Sequence, residues 1–105
     1  MIPKTIFLLI CATGIVFAVG DAAAGKAVYD KACRSCHGVD GTPNPAIVKM
    51  TKVEMKHLGA ADVQARNEDS MKKVIVDGEG KMKPVKSVAG KDVDNVIAYV
   101  RTLKK

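Results

Sequence analysis

The stretch Cys33-Arg34-Ser35-Cys36-His37 decides the fold of this sequence. It lies inside GKAVYDKACRSCHGVDG (residues 25–41), and its spacing, C-x-x-C-H, is the attachment signature of c-type haem. On a helical turn, residues i and i+3 lie close together on one face, so both thiols can add to the vinyl groups of one porphyrin. The adjacent histidine is then carried beneath the macrocycle, where its imidazole can bind iron. The motif predicts one covalent haem c, tethered by Cys33 and Cys36, with His37 as an iron ligand.

Two other uses of a C-x-x-C pair fit the surrounding sequence less well. A thioredoxin-like redox pair follows a strand and precedes a helix, whereas this pair ends a helical segment and runs into the Gly/Pro-rich loop 38–45. A structural zinc site normally takes four ligands. Beyond the motif, His57 is the only histidine that remains to serve as one.

The N-terminal segment has the composition of an export signal. Residues 5–19, TIFLLICATGIVFAV, contain no charge and are followed by small side chains. An apolar run of about 15 residues is shorter than the roughly 20 that a membrane-spanning helix needs. We therefore expect residues 1–20 to be a signal peptide, cleaved near Gly20/Asp21, and residues 21–105 to form one domain in the periplasm. An uncleaved N-terminal anchor is the alternative.

The cysteine count supports a shared role for the motif thiols. Loss of the signal would remove Cys11, and the two remaining cysteines, Cys33 and Cys36, both belong to the motif. A domain of about 85 residues has a small core and usually relies on a disulfide, a metal or a cofactor. A disulfide across so short a loop would constrain little of the unfolded chain. Haem is therefore the expected source of additional stability.

Helical patterns separated by Gly and Pro account for the rest of the domain, and no segment reads as a paired strand. The predicted fold class is all-α. Caps and apolar spacing predict a helix over 22–34 capped by Asp21, a short helix from Asn44-Pro45 to about Met50, a turn at 61–64, a helix from Asn67 that stops at Gly78, and a last helix over 91–103.

Three segments together resemble short bacterial class I cytochromes c. They are residues 25–41, EGKMKPV at 79–85 and DVDNVIAYVRTL at 92–103, and they occur in the order typical of that family. The resemblance covers all of residues 21–105. It implies a small cytochrome c fold, with helices wrapped around one low-spin haem, a histidine–methionine axial pair, and one-electron transfer through a partly exposed haem edge.

The resemblance also implies that the N- and C-terminal helices cross. The crossing would bring Gly25 and Tyr29 against Val96, Tyr99 and Val100.

Met82 is the expected sixth iron ligand. It lies in a loop after Gly78 and Gly80, where a methionine gains little from packing, and its position matches the methionine loop of the family. Lys83 stands directly after it, where many relatives have proline. Met71 has helical spacing with its apolar neighbours, which favours a place in the core.

Three further side chains are candidates for the haem pocket. Met50 and Met55 are expected to line the haem crevice as soft apolar packing. His57, in KVEMKHLG, is the alternative sixth ligand and would give a bis-histidine site of low potential.

The resemblance further implies a proline carbonyl that accepts a hydrogen bond from the second ring nitrogen of His37. Such a bond fixes the tautomer of a ligating histidine. Pro45 is the first choice for this role and Pro43 the reserve.

The charge balance indicates acidic partners. Without Lys4 the domain has 16 basic and 11 acidic side chains, a net charge of +5. Positive charge near a haem edge would steer the protein towards redox partners with acidic docking surfaces, among which a membrane redox complex is one option. The scattered lysines and few aromatic residues argue against nucleic acid. Lysines flank the proposed ligand loop at Lys72, Lys73, Lys81, Lys83 and Lys86.

The predicted function is a monomeric, diffusible periplasmic electron carrier with no catalytic residues. A haem enzyme or gas sensor with a labile sixth ligand is the alternative from a different class.

Overall fold

A computed structural model describes residues 20–105, so the prediction of a signal peptide over residues 1–20 falls almost wholly outside the described residues. Within residues 20–105 no strand is formed, and the all-α prediction is confirmed. None of the helices in this part of the chain has both the length and the apolar character needed to cross a membrane. The helices are α1 (Ala22–Ala32), α2 (Arg34–His37), α3 (Pro45–Thr51), α4 (Ala61–Gln64), α5 (Glu68–Asp77) and α6 (Lys91–Arg101).

Three helices begin where short polar side chains were expected to cap them. Each cap accepts hydrogen bonds from backbone N–H groups of the first turn, which have no partner inside the helix. Asp21 caps α1 through the N–H groups of Ala23 and Ala24, at 2.9 and 3.4 Å. Asn44 caps α3 and Asn67 caps α5, with oxygen–nitrogen distances of 3.0 and 2.8 Å.

The core lies where α1 crosses α6, as the resemblance implied. Gly25 makes the crossing possible because a Cβ at this position would lie 1.8 Å from the carbonyl oxygen of Asn95. One turn further along α1, the ring of Tyr29 packs against that of Tyr99, with centroids 5.1 Å apart. The buried apolar side chains are Tyr29, Met71, Val88, Val93, Val96, Ile97 and Val100.

Polar side chains attach the segment around α4 to α6. The amide nitrogen of Gln64 donates to the carbonyl oxygens of Leu58 and Val100, at 2.8 and 2.9 Å. The guanidinium of Arg101 donates to the carbonyl oxygens of Gln64 and Arg66, both at 2.7 Å. These bonds hold a stretch with little apolar burial against the helix that carries most of the core.

Candidate haem site

The attachment motif forms a helical turn of its own. The chain leaves α1 at Cys33, whose φ of −118° interrupts the helix, and α2 then begins at Arg34. The N–H groups of Cys36 and His37 both bond to the carbonyl oxygen of Cys33, at 3.2 and 2.9 Å. The helix predicted over 22–34 therefore ends at Ala32, and a second, short helix carries the motif from Arg34 to His37.

Both motif thiols are free and half-buried. Burial raises the pKa of the Cys33 thiol to about 11, and the neighbouring Cys36 sulfur adds to this effect. The Cys33 thiol is therefore protonated at neutral pH. Two thiols on one turn, i and i+3 apart, are the donor set that thioether attachment to a single porphyrin requires.

His37 presents a neutral imidazole next to these thiols. Burial lowers its pKa, which favours the uncharged form that binds metals. Its Nδ1 atom is buried and has no hydrogen-bond partner among residues 20–105, so neither Pro43 nor Pro45 accepts from it in this structure. A neutral, half-buried histidine beside two free thiols fits haem c, whose iron His37 would bind. The hydrogen bond to Pro45 stays a prediction.

Tyr29 fixes the backbone that follows the histidine. Its hydroxyl donates to the carbonyl oxygen of Gly38 at 2.7 Å and lies 3.3 Å from that of His37. Burial raises the pKa of this phenol well above its ordinary value, so it remains a donor. The sequence predicts Tyr29 only as part of the helix crossing. Nothing in the sequence around Tyr29 predicts its hydrogen bond to the backbone after His37.

Asn44 is a second residue whose role at the site was not predicted. The side chain was expected to cap α3, and its Oδ1 atom does so. Its Nδ2 atom donates to the carbonyl oxygen of Ser35 at 3.0 Å, and its backbone N–H donates to that of Cys36 at 2.9 Å. Asn44 therefore closes the loop after the motif and holds Pro45 near it.

Met82 lies at the end of a tight turn. Glu79 and Met82 exchange both backbone hydrogen bonds, each at 2.9 Å. Gly80 takes the first central position with φ of +57°, as a type II′ turn requires. Gly78 has φ of +82°, and a Cβ there would approach the carbonyl oxygen of Met82 to 2.6 Å. Both glycines are therefore needed for the turn that presents Met82, whose side chain is half-buried.

The other methionines and His57 occupy different surroundings. Met71 is 8% exposed and belongs to the core, which confirms that it packs there. Met50 is 72% exposed at the end of α3, and Met55 is half-buried. The Nδ1 atom of His57 accepts a hydrogen bond from the N–H of Gly59 at 2.8 Å. His57 therefore already caps a local turn, which packs against the C-terminal end of the chain through Gly59 and Leu103.

The zinc alternative has no cluster to support it in the described part of the chain. Across residues 20–105, no three side chains of His, Cys, Asp or Glu are placed to hold a metal ion together.

A crossing of terminal helices, two free thiols on one turn and a neutral histidine beside them together define a c-type cytochrome. The family model described as cytochrome c oxidase, cbb3-type, subunit III matches residues 20–100, and the chain belongs to this family. It is a small monohaem class I cytochrome c, and its cofactor is covalent haem c.

Two relatives match most of this chain over nearly their full lengths. Cytochrome c-554(547) of Halothiobacillus neapolitanus is 33% identical over 90 residues, which cover 81% of this chain and 99% of that protein. The solved structure of the KustC0563 c-type cytochrome matches with a TM-score of 0.65 at 27% identity, covering 77% of this chain and 98% of that one. The match therefore extends over nearly the whole length of both relatives.

Proposed function

We propose that the protein is a one-electron carrier of a periplasmic respiratory chain, with His37 and Met82 as the two axial ligands of the haem iron. Haem c supplies an iron that gains and loses one electron. The observation that carries the proposal is the turn of residues 79–82, which holds a half-buried methionine between two exposed lysines. The names of the relatives, both cytochromes, agree with a carrier.

The surroundings of Met82 support its role as a ligand. A methionine in a loop contributes little to a core, and its neighbours Lys81 and Lys83 are exposed. The double hydrogen bond with Glu79 nevertheless gives the Met82 backbone one defined conformation. A thioether is a soft ligand that cannot be protonated at neutral pH, and it raises the potential of a haem relative to a second histidine. These properties suit a carrier and require no catalytic acid or base.

The surface charge supports a partner with an acidic docking face. Five lysines lie within or flank the methionine turn (residues 78–83) in the sequence. Of these, Lys72 pairs with Asp94 at 2.9 Å, and Lys81 donates to the carbonyl oxygen of Thr51 at 2.8 Å. The other three, Lys73, Lys83 and Lys86, are exposed and form no ion pair with any described residue. We expect electron transfer to slow as salt is added, because screening weakens the attraction. The family's description names an oxidase, which makes a membrane redox complex a reasonable partner for a monomeric carrier.

Export to the periplasm is part of the proposal. Haem thioethers are formed outside the cytoplasm, and the first 20 residues have the composition of a signal. The Asp21 N–H donates to the Oδ1 atom of Asn95 at 2.9 Å, a bond that the α-amine could also make after cleavage.

The optical spectrum of the oxidised protein tests the ligand assignment. Sulfur ligation gives a weak far-red band, which we expect in the parent and not in Met82→Ala. Met55→Ala is the matched control and should keep the band, because Met55 lies outside the turn. Absence of the band in the parent would contradict methionine ligation. Rapid binding of carbon monoxide by the reduced parent would instead favour a sensor or enzyme with a labile sixth position.

A further inference from the structure

The methionine turn, residues 78–83, contributes no side chain to the core, and polar contacts attach it to the rest of the domain. Within the turn, Glu79 and Met82 are joined by two backbone hydrogen bonds of 2.9 Å. A displacement of Glu79 is therefore transmitted directly to the backbone of Met82. Whatever holds the side chain of Glu79 in place also holds Met82.

Arg66 holds that side chain from the junction between α4 and α5. Its Nη1 and Nη2 atoms contact the two carboxylate oxygens of Glu79 at 2.9 and 3.0 Å, a bidentate arrangement. Its Nε atom donates to the Oγ atom of Ser70 on α5 at 2.8 Å. All three guanidinium nitrogens are engaged, so the plane of the group is fixed.

The backbone of Arg66 is in turn attached to the core. Its carbonyl oxygen accepts a hydrogen bond of 2.7 Å from Arg101 on α6. A continuous series of contacts therefore leads from α6 through Arg66 and Glu79 to Met82. On the other side of Gly80, Lys81 donates to the carbonyl oxygen of Thr51 at the end of α3.

We infer that Arg66 and Glu79 are a positioning pair, which keeps the methionine turn closed so that the sulfur of Met82 stays on the iron. The inference rests on the proposed function, because it requires Met82 to be the sixth ligand. The two side chains are 36% and 58% exposed, and ion pairs this exposed contribute little to global stability. Residues 78–83 contribute nothing to the buried core, so the same small energy is decisive for local opening of the turn. The pair therefore affects Met82 dissociation more than unfolding of the domain.

Imidazole binding to the oxidised holoprotein measures this opening. Imidazole competes with Met82 for iron, and its apparent affinity is proportional to the fraction of molecules in which the sulfur has left. At fixed pH and ionic strength, Glu79→Gln and Arg66→Gln should each bind imidazole about two- to fivefold more tightly, the range expected for an exposed ion pair. The double variant should bind no more tightly than either single variant, because the two residues act through one contact.

Asp30→Asn is the matched control. It removes another exposed ion pair, Lys26–Asp30 at 2.9 Å on α1, which has no contact with the turn. Imidazole affinity should be unchanged in this variant, while the midpoint of unfolding by far-ultraviolet circular dichroism shifts by the same small amount as in Glu79→Gln.

Met82→Ala separates failure of the inference from failure of the proposed function. If Met82→Ala binds imidazole far more tightly than the parent while Glu79→Gln and Arg66→Gln match the parent, Met82 is the ligand and the positioning role is wrong. Additive effects in the double variant would also overturn the positioning role. If Met82→Ala binds imidazole no more tightly than the parent, methionine ligation is wrong and the inference falls with it.

Discussion

Replacing Gly25 by alanine tests the helix crossing on which the fold depends. The new Cβ would lie 1.8 Å from the carbonyl oxygen of Asn95, whereas ordinary contacts begin at 3.4 Å. The opposing atom belongs to the backbone, so no change of rotamer can relieve the overlap. Helices α1 and α6 would have to separate by about 1.5 Å, which loosens the tightly packed interface between them.

The two energetic effects of this substitution have opposite signs. Overpacking of a buried site costs roughly 3 kcal/mol when the neighbours cannot move aside. Alanine favours a helix over glycine by about 1 kcal/mol, which offsets part of that loss. The net expectation is a destabilisation of about 2 kcal/mol, which for a domain of this size lowers the Tm by roughly 10 °C.

Thermal unfolding of the oxidised holoprotein, followed by far-ultraviolet circular dichroism, measures the difference. Ala27→Gly is the control, since Ala27 is exposed on α1 and reports helix propensity alone. It should lose about 1 kcal/mol. An unchanged or higher Tm in Gly25→Ala would mean that propensity dominates, and that α1 and α6 do not approach each other as described.

Two further predictions concern Tyr29 and Lys52. Tyr29→Phe removes the donor to the Gly38 carbonyl, 2.7 Å away, and should lower the free energy of unfolding by about 1–2 kcal/mol. A denaturant titration of each variant measures this difference. Tyr99→Phe is the control, because its hydroxyl bonds to no described residue, and it should lose less free energy of unfolding than Tyr29→Phe. Equal losses would contradict the role of Tyr29. Lys52 ends α3 with φ of +56°, so Lys52→Gly should stabilise the domain by up to about 1 kcal/mol, whereas Lys49→Gly inside α3 should destabilise it by a similar amount. A loss of stability in Lys52→Gly would show that its side chain contributes more than its backbone conformation costs.

Features that depend on neighbouring residues were predictable from the sequence. Asp21, Asn44 and Asn67 cap their helices because a cap needs only its own side chain and the next few N–H groups. The C-x-x-C-H motif is local in the same sense. The family resemblance then supplied the helix crossing, which the structure confirms at Gly25.

The helix ends show where apolar spacing is an incomplete guide. The apolar stripe on α6 continues to Leu103 and therefore predicts a helix two residues longer than the observed one, which ends at Arg101. The N–H groups of Thr102 and Leu103 instead bond to carbonyls three residues earlier, at 2.9 and 3.0 Å, and tighten the last turn. Leu103 keeps its apolar spacing in this tighter turn, so the spacing alone does not show where α6 ends.

Long-range polar contacts were not predictable. The Arg66–Glu79 pair joins two residues on opposite sides of α5 in the sequence, and the chain contains many other lysines, arginines and acids that could pair equally well. The bond from Asn44 to the carbonyl oxygen of Ser35 depends on the path of the loop between them. Such contacts follow from the fold, and the composition of the chain does not select among them.

The central claim is that His37 and Met82 bind one haem iron that exchanges a single electron. A spectroelectrochemical titration of the holoprotein, beside Met82→His, tests it most directly. The account predicts one reversible one-electron transition in the parent and a lower midpoint potential in Met82→His, because a thioether raises the potential relative to a second imidazole. A parent whose transition involves more than one electron, or whose potential is the same as that of Met82→His, would contradict it.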